Sequence, residues 1–143
     1  MTGKSRSQPP PFRHDLRVRY GECDAQGIVF NANYLAYVDV ALTELWRAAF
    51  GSYGAMVERG VDTVVHEANL HFRASARFDD LLAIEGGFEP LGRTSAKFRL
   101  WFRRGEKDLV EARLRYVFVD AETFAKTPIP DWVRDGLDPF VLR

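Results

Sequence analysis

The feature that most constrains the fold is a change in the spacing of apolar residues along the chain. Over residues 34–49 apolar side chains recur at steps of three and four, which predicts one amphipathic helix ending at Gly51. A run over residues 12–20 alternates between apolar and polar residues instead, and four more alternating runs follow Gly60. Period two is typical of strands with one buried face. The predicted order is therefore one strand, one long helix and four strands.

The apolar row of each strand is expected to face the helix. The four rows after Gly60 are Val64, His66, Ala68, Leu70 and Phe72; Leu82, Ile84, Gly86 and Phe88; Ala96, Phe98, Leu100 and Phe102; and Val110, Ala112, Leu114, Tyr116 and Phe118. One helix covering one side of five strands predicts an α+β fold, with a five-stranded antiparallel sheet wrapped around a central helix. We predict a disordered tail over residues 1–11, which end in three prolines, and a single domain over residues 12–143.

Composition narrows the classes of function. Hydrophobic residues make up 46 % of the 143 residues, which is enough for a packed core. Lys and Arg number 20 and so do Asp and Glu, so we expect no nucleic-acid partner. No apolar run reaches the roughly 20 residues of a membrane span, and the N-terminus lacks the apolar core of a secretory signal. The lone cysteine, Cys23, suits a cytoplasmic protein, and between two acids it is a poor nucleophile. Without a Cys/His cluster we predict no metal site.

The segment between the first strand and the long helix, VRYGECDAQGIVFNANYL over residues 18–35, carries the densest functional information. Glu22 and Asp24 precede a glycine and the helix start, where Asn31 or Asn33 is expected to cap the helix. Unpaired N–H groups at a helix start can hold a carbonyl oxyanion, and a nearby carboxylate can act as nucleophile or general base. The ordinary alternative is a pair of acids stabilised by the helix dipole. Glu22 could also simply steady the loop.

This segment resembles the signature of the 4-hydroxybenzoyl-CoA thioesterase-like branch of the hotdog-fold acyl-CoA thioesterases. RYGECDAQGIVFNANYL has that signature's acid-x-Asp, small residue, glycine and the Asn-Tyr that opens the central helix. Supporting similarities lie in HFRASARFDD, residues 71–80, and in LGRTSAKF, residues 91–98, so the resemblance covers roughly residues 12–120. It implies a hotdog fold and hydrolysis of an acyl- or aroyl-CoA thioester to free acid and CoA, with no cofactor.

The resemblance also implies roles for individual residues. Asp24 is implied as the catalytic carboxylate, either nucleophile or general base, and the backbone N–H of Asn31 as an oxyanion donor. Further positions are implied as substrate-binding, and they are Glu22, Gly27, Asn33, Tyr34, Arg93, Thr94 and Ser95. The chain departs from the family at Asn31, where His or Tyr is more common, and at residues 74–76, where a proline is usual.

Several other candidates have an ordinary interpretation beside the functional one. His66 lies in an apolar row, so a buried core histidine is the first expectation and a pocket residue the second. Arg93, Thr94 and Ser95 begin a strand after a glycine turn, and they are either an exposed strand end or a contact for phosphate or pantetheine. Asp39 is either a helix-surface acid or a residue that reaches the pocket.

An open sheet edge predicts self-association. The hotdog family pairs two protomers edge to edge with the active site at their junction, so the resemblance implies a dimer or tetramer. Two rival functions stay open. One is a thioesterase acting on an acyl carrier protein in a biosynthetic pathway, which would need a basic docking patch such as Arg93 with Arg103 or Arg104. The other is a non-catalytic hotdog protein that binds acyl-CoA or lipid, against which the presence of Asp24 argues.

Overall fold

A computed structural model of the protein describes residues 9–143, so residues 1–8 of the predicted tail lie outside it. The elements are, in chain order, β1 (Phe12–Arg17), α1 (Asn33–Phe50), α2 (Tyr53–Glu58), β2 (Val61–Phe72), β3 (Leu81–Phe88), β4 (Ser95–Arg104), β5 (Lys107–Asp120) and α3 (Asp131–Leu137). Short 3₁₀ helices lie at Tyr20–Glu22 and Asp138–Phe140. No helix of this described part is long and apolar enough to cross a membrane.

The five strands form one antiparallel sheet in the order β1-β3-β4-β5-β2. This architecture confirms the predicted α+β hotdog fold. The predicted apolar rows of β3, β4 and β5 are in register and buried, as in the row through Phe88, Phe98 and Leu114. The sheet has two edges, the short β1 and the 12-residue β2. The prediction of a single domain over residues 12–143 stays a prediction.

The 18-residue helix α1 packs on the apolar face of the sheet. Its buried residues recur at helical spacing, and they are Tyr34, Tyr37, Val38, Ala41, Leu42, Leu45 and Trp46. The ring of Tyr34 meets Phe102 edge to face at 5.5 Å, and Trp46 lies 5.9 Å from Phe88. The helix ends as predicted at Gly51, which has a φ of 90° that favours glycine. The N-terminal end of α1 therefore lies at the end of β4 that carries Phe102.

The start of α1 differs from the prediction. The residue before the helix is Ala32, which has no side-chain cap, so neither Asn31 nor Asn33 caps it. Asn33 is the first helical residue, and its side-chain amide donates instead to the backbone oxygen of Glu22 at 2.7 Å. The amide thus ties the preceding loop to the helix. The first strand is also shorter than predicted, because it ends at Arg17 and the chain then turns.

The predicted apolar row of β2 is wrong in its first half. The register of β2 against β5 shifts between Val65 and Glu67, so His66 is an extra residue in a β-bulge. Because one extra residue reverses the alternation, Val64 lies on the opposite face from Ala68. His66 is exposed and is not the buried core histidine that was the first expectation. A bulge inside an alternating run leaves the sequence pattern unchanged, so the period alone could not locate it.

Candidate functional site

Asp24 lies in a tight hairpin between the 3₁₀ turn and α1. Its backbone N–H donates to the oxygen of Ile28 at 2.9 Å, and the N–H of Gly27 donates back to the oxygen of Asp24 at 2.9 Å. Gly27 has a φ of 78°, a left-handed conformation that this turn requires and that glycine adopts without strain. Gly27 is therefore needed for the shape of the loop. As a substrate contact it stays a prediction.

The hairpin also orients the Asp24 carboxylate. Its Oδ1 accepts a hydrogen bond of 2.8 Å from the backbone N–H of Gln26, as aspartate commonly does at the first position of a turn. Within residues 9–143, Oδ2 accepts no hydrogen bond. Asp24 is half-buried, so this oxygen can meet a ligand without unfolding the loop. A turn-forming aspartate is an ordinary structural feature, but here it leaves one oxygen held and the other available.

Glu22 is occupied by internal partners. Its Oε1 accepts from the backbone N–H of Arg19 and from the Tyr37 hydroxyl, both at 2.8 Å. Its Oε2 accepts from the Arg19 guanidinium, at 2.8 Å from Nε and closer still from Nη2. Burial raises the pKa of Glu22, but the bonds from Arg19 and Tyr37 lower it more, so its pKa lies below the ordinary value. These contacts support the structural interpretation of Glu22, in which its side chain holds the loop in place.

Two backbone N–H groups at the start of α1 are free. The N–H of Asn33 donates to the oxygen of Phe30, and the N–H of Tyr34 donates to the oxygen of Asn31. In the described part of the chain, the N–H groups of Asn31 and Ala32 have no acceptor, and both residues are exposed. Free N–H groups at a helix start carry partial positive charge. They are suited to hold an oxyanion.

The hairpin brings these N–H groups near Asp24. Phe30 donates its N–H to the oxygen of Glu22 at 3.0 Å, so the two arms of the hairpin run side by side up to the helix start. Asn31 is three residues beyond Ile28, the backbone partner of Asp24, and three residues of extended chain span about 10 Å. The hairpin therefore ties the loop that carries Asp24 to the start of the helix, and a joint catalytic role of Asp24 and Asn31 stays a prediction.

Two further predicted residues serve the interior of the protein. The Tyr34 hydroxyl is buried and accepts a 3.2 Å hydrogen bond from the backbone N–H of Ala76. The backbone N–H of Val29 donates to the oxygen of the same Ala76 at 2.9 Å. Asn33 holds the loop through Glu22, as described above. These contacts clamp the hairpin against the segment after β2, and substrate contacts by Asn33 and Tyr34 stay predictions.

Arg93, Thr94 and Ser95 lie far from Asp24 within one protomer. They come at the start of β4, whereas Arg104 at its other end forms an ion pair of 2.7 Å with Asp80, close to the hairpin. Nine residue steps along β4 correspond to about 30 Å. The structure thus does not bring the two halves of the predicted site together in one chain. Nor does it assemble a basic docking patch from Arg93 with Arg103 or Arg104, because these arginines lie at opposite ends of the strand.

The outer face of the sheet carries charged side chains around a groove of about 460 Å³. Arg99 pairs with Glu111 at 2.8 Å, and Arg113 pairs with Glu89 at 2.8 Å. Ion pairs of this kind are typical of a solvated sheet face. Within residues 9–143, no three His, Cys, Asp or Glu side chains are grouped so that they could hold a metal ion.

Tyr37 and Arg19 are parts of the site that sequence reasoning missed. The spacing of Tyr37 fits the apolar stripe of the helix, so the pattern predicts a core residue there and gives no sign of its bond to Glu22. A usable signal was present, since Tyr37 follows Asn33 by four residues and both therefore project from one face of α1 toward the loop. Arg19 precedes Glu22 by three residues across the 3₁₀ turn, where it donates both side-chain and backbone N–H groups.

Comparison with known proteins places this site in a family. The model of the thioesterase-like superfamily matches residues 18–137, which include the hairpin, the helix and the sheet. The acyl-CoA thioester hydrolase YbgC of Escherichia coli is 34 % identical over 110 residues, which cover 76 % of this chain and 82 % of that protein. The 4-hydroxybenzoyl-CoA thioesterase of a Pseudomonas species is 35 % identical over 78 residues, or 48 % of this chain and 51 % of that protein.

A similar fold is also seen in solved structures. The crystal structure of a hypothetical protein from Aquifex aeolicus superposes with a TM-score of 0.84 at 27 % identity, covering 89 % of this chain and 99 % of that one. The family match spans most of the chain and includes the carboxylate loop and the helix start described above. Sequence, fold and site geometry agree, and this chain belongs to the thioesterase-like superfamily.

Proposed function

We propose that this protein is an acyl-CoA thioesterase that hydrolyses an acyl- or aroyl-CoA thioester to a free acid and CoA. The observation that carries the proposal is the carboxylate of Asp24, with one oxygen held by Gln26 and the other available, beside the free N–H groups of Asn31 and Ala32. A relative that is 34 % identical is an acyl-CoA thioester hydrolase, which supports the same activity here. We also propose a cytoplasmic location, which the lone Cys23 favours.

The chemistry follows from the positions of these groups. The thioester carbonyl oxygen lies against the N–H groups of Asn31 and Ala32, which stabilise the negative charge that develops on it. As nucleophile, Asp24 bonds to the carbonyl carbon, the CoA thiolate leaves, and water hydrolyses the resulting anhydride. As general base, Asp24 takes a proton from water, whose oxygen bonds to the carbon before the thiolate leaves and is protonated. Both routes need the same carboxylate.

We further propose that the active assembly is a symmetric dimer paired through β2. This strand is a long sheet edge, and the side chains of Val65 and Phe72 on it are 52 % and 47 % exposed. A long edge with exposed apolar side chains is expected to be covered by another strand. Antiparallel pairing of two β2 strands about a two-fold axis sets the Asp24 end of one sheet beside the Arg93 end of its partner. Arg93, Thr94 and Ser95 then contact the phosphate or pantetheine of a substrate bound at the partner's Asp24.

The experiment that tests the proposed activity is a panel of acyl-CoA thioesters assayed with a thiol-trapping dye. The panel includes short and long aliphatic acyl groups and benzoyl derivatives. We expect the purified protein to release CoA thiol from at least one of them, at a rate proportional to protein concentration. Release from none of the panel, by a folded protein, would contradict the proposed function and favour a binding protein of the same fold.

A further inference from the structure

The hairpin that carries Asp24 is bonded to a turn over residues 75–80. On the arm of the hairpin opposite Asp24, the backbone N–H of Val29 donates to the oxygen of Ala76 at 2.9 Å. Ile28 on the same arm pairs with the next residue of the turn in an isolated antiparallel bridge. Asp24 itself is bonded to Ile28 across the hairpin. The position of Asp24 therefore depends on where the 75–80 turn is held.

A single carboxylate oxygen closes the 75–80 turn and ties it to the sheet. Oδ2 of Asp80 accepts a hydrogen bond from the backbone N–H of Arg77 at 2.8 Å and another from Nη1 of Arg104 at 2.7 Å. The same Nη1 also donates to the backbone oxygen of Ser75 at 3.3 Å. Because Arg104 is the last residue of β4, its guanidinium holds both ends of the turn against that strand.

The ion pair supplies a tie that the other bonds of the turn do not. Backbone bonds of Asp79 and Asp80 to Val18 attach the turn to the chain just beyond β1, which is an edge strand. Arg104 instead attaches it to β4, the middle strand of the sheet. The side chains of Arg104 and Asp80 are 34 % and 21 % exposed, so water screens their charges less than those of a fully exposed pair. The turn is thereby anchored to the most rigid part of the fold.

We propose that Asp80 and Arg104 are positioning residues for the Asp24 carboxylate, because their ion pair holds the 75–80 turn and, through it, the catalytic hairpin. This inference rests on the proposed thioesterase function and adds to it two residues that act through the loop rather than on the substrate. A displacement of about 1 Å in a catalytic group can cost about 10²-fold in rate. Loss of the pair should therefore lower kcat, and KM should change little because neither side chain contacts the substrate.

The kinetic test breaks the pair from either side. We expect Asp80→Asn and Arg104→Met each to lower kcat by about tenfold or more, with KM within about twofold of wild type. The double variant should be no worse than either single one, because both remove the same interaction. The control is Arg113→Met, which breaks the 2.8 Å pair of Arg113 with Glu89 on the same sheet. Glu89 lies beside the other end of β4, so this variant should keep the wild-type kcat.

Cys23 reports the state of the hairpin without any need for activity. It is the only cysteine of the chain, it is half-buried, and it pairs with Val29 across the hairpin. Without substrate, we expect a thiol dye to label Cys23 about tenfold faster in Asp80→Asn and in Arg104→Met, the effect of losing one charge-assisted hydrogen bond. The two substitutions remove opposite charges, so a rise in both reports opening of the hairpin rather than a change in the pKa of the thiol.

The outcomes separate this inference from the proposed function. A wild-type kcat in both single variants, or a fall as large in Arg113→Met, would overturn the inference, since the pair would then matter no more than any other of the sheet. Labelling of Cys23 at the wild-type rate in both variants would overturn it as well. If Asp80→Asn does not fold, Arg104→Met carries both measurements. If wild type hydrolyses nothing, the proposed function fails, and the labelling of Cys23 still decides whether the pair holds the hairpin.

Discussion

The Tyr37 hydroxyl donates a 2.8 Å hydrogen bond to Oε1 of Glu22, and this bond joins the loop that carries Asp24 to the central helix. Tyr37 is 1 % exposed and packs against Tyr34 and Phe102, so its position is set by the core. Glu22 lies two residues before Asp24. The packing of α1 on the sheet therefore fixes the loop from which the carboxylate projects.

Tyr37→Phe should loosen this loop without emptying the core. The ring remains and one hydrogen bond to a charged acceptor is lost, which we expect to lower the free energy of unfolding by about 1.5–3 kcal/mol. We expect kcat to fall as well, because the Asp24 hairpin is less firmly positioned. Urea unfolding and steady-state kinetics measure the two effects. A variant as stable and as active as wild type would show that Glu22 does not need Tyr37.

The stability of the loop should depend on pH through Glu22. Its pKa is lower in the folded protein than in the unfolded chain, so its contribution to stability is present above the unfolded pKa and is lost as the pH falls through the folded pKa. We expect Glu22→Gln to be less stable than wild type at pH 7 and the difference to shrink below about pH 4. Urea unfolding of both proteins at pH 7 and pH 3 measures it. A difference that does not change with pH would contradict this role.

Close strand packing at Gly86 should make that position intolerant of any side chain. A Cβ added there would lie 1.9 Å from the backbone oxygen of Arg99, and backbone on a central strand cannot move aside cheaply. We expect Gly86→Ala to cost roughly 3 kcal/mol or more, or to prevent folding. The control is Gly54→Ala in α2, where the nearest atom is Ser52 Oγ at 3.8 Å. If both variants show equal thermal unfolding, the β3–β4 packing described here is wrong.

The proposed dimer can be broken at the exposed edge. Val65→Arg places a charge on the apolar side of β2, where burial against a second copy would leave it unpaired. We expect light scattering to show a dimer for wild type and a monomer for Val65→Arg, with the monomer folded and inactive. Glu106→Arg, in the exposed turn between β4 and β5, is the control and should stay dimeric. A fully active wild-type monomer at micromolar concentration would contradict the proposed assembly.

The fold could be predicted because the spacing of apolar residues depends on each local segment and can be read directly from the sequence. The spacing of apolar residues by three and four positions from Tyr34 to Ala49 predicts the helix. The alternation of apolar and polar residues after Gly60 predicts the strands, and the structure has these elements in the predicted order. The β2 row failed at His66, because a bulge is chosen by the packing of neighbouring strands rather than by the residues of the strand itself. The cap expected at Asn33 failed for a similar reason, since its amide is used by a residue eleven positions away.

The candidate site could be predicted only in part. Asp24 and the helix start lie in one continuous segment, so their proximity follows from the sequence. The tie between Tyr37 and Glu22 joins a core position to a loop position, and no periodic pattern reports such a bond. Arg93 and Asp24 lie near opposite ends of β4, and only the proposed pairing with a second chain would join them in one site.

The central claim, that Asp24 is the catalytic carboxylate, is tested most directly by kcat for Asp24→Asn on the best acyl-CoA of the panel. Asparagine keeps a side-chain oxygen for the N–H of Gln26, so the turn and the fold should persist. We predict a loss of about 10²-fold or more in kcat, because the amide is neither a nucleophile nor an effective base. Glu22→Gln should lose much less. An Asp24→Asn protein that keeps most of the wild-type rate would contradict the account, and an inactive Glu22→Gln beside it would transfer the catalytic role to Glu22.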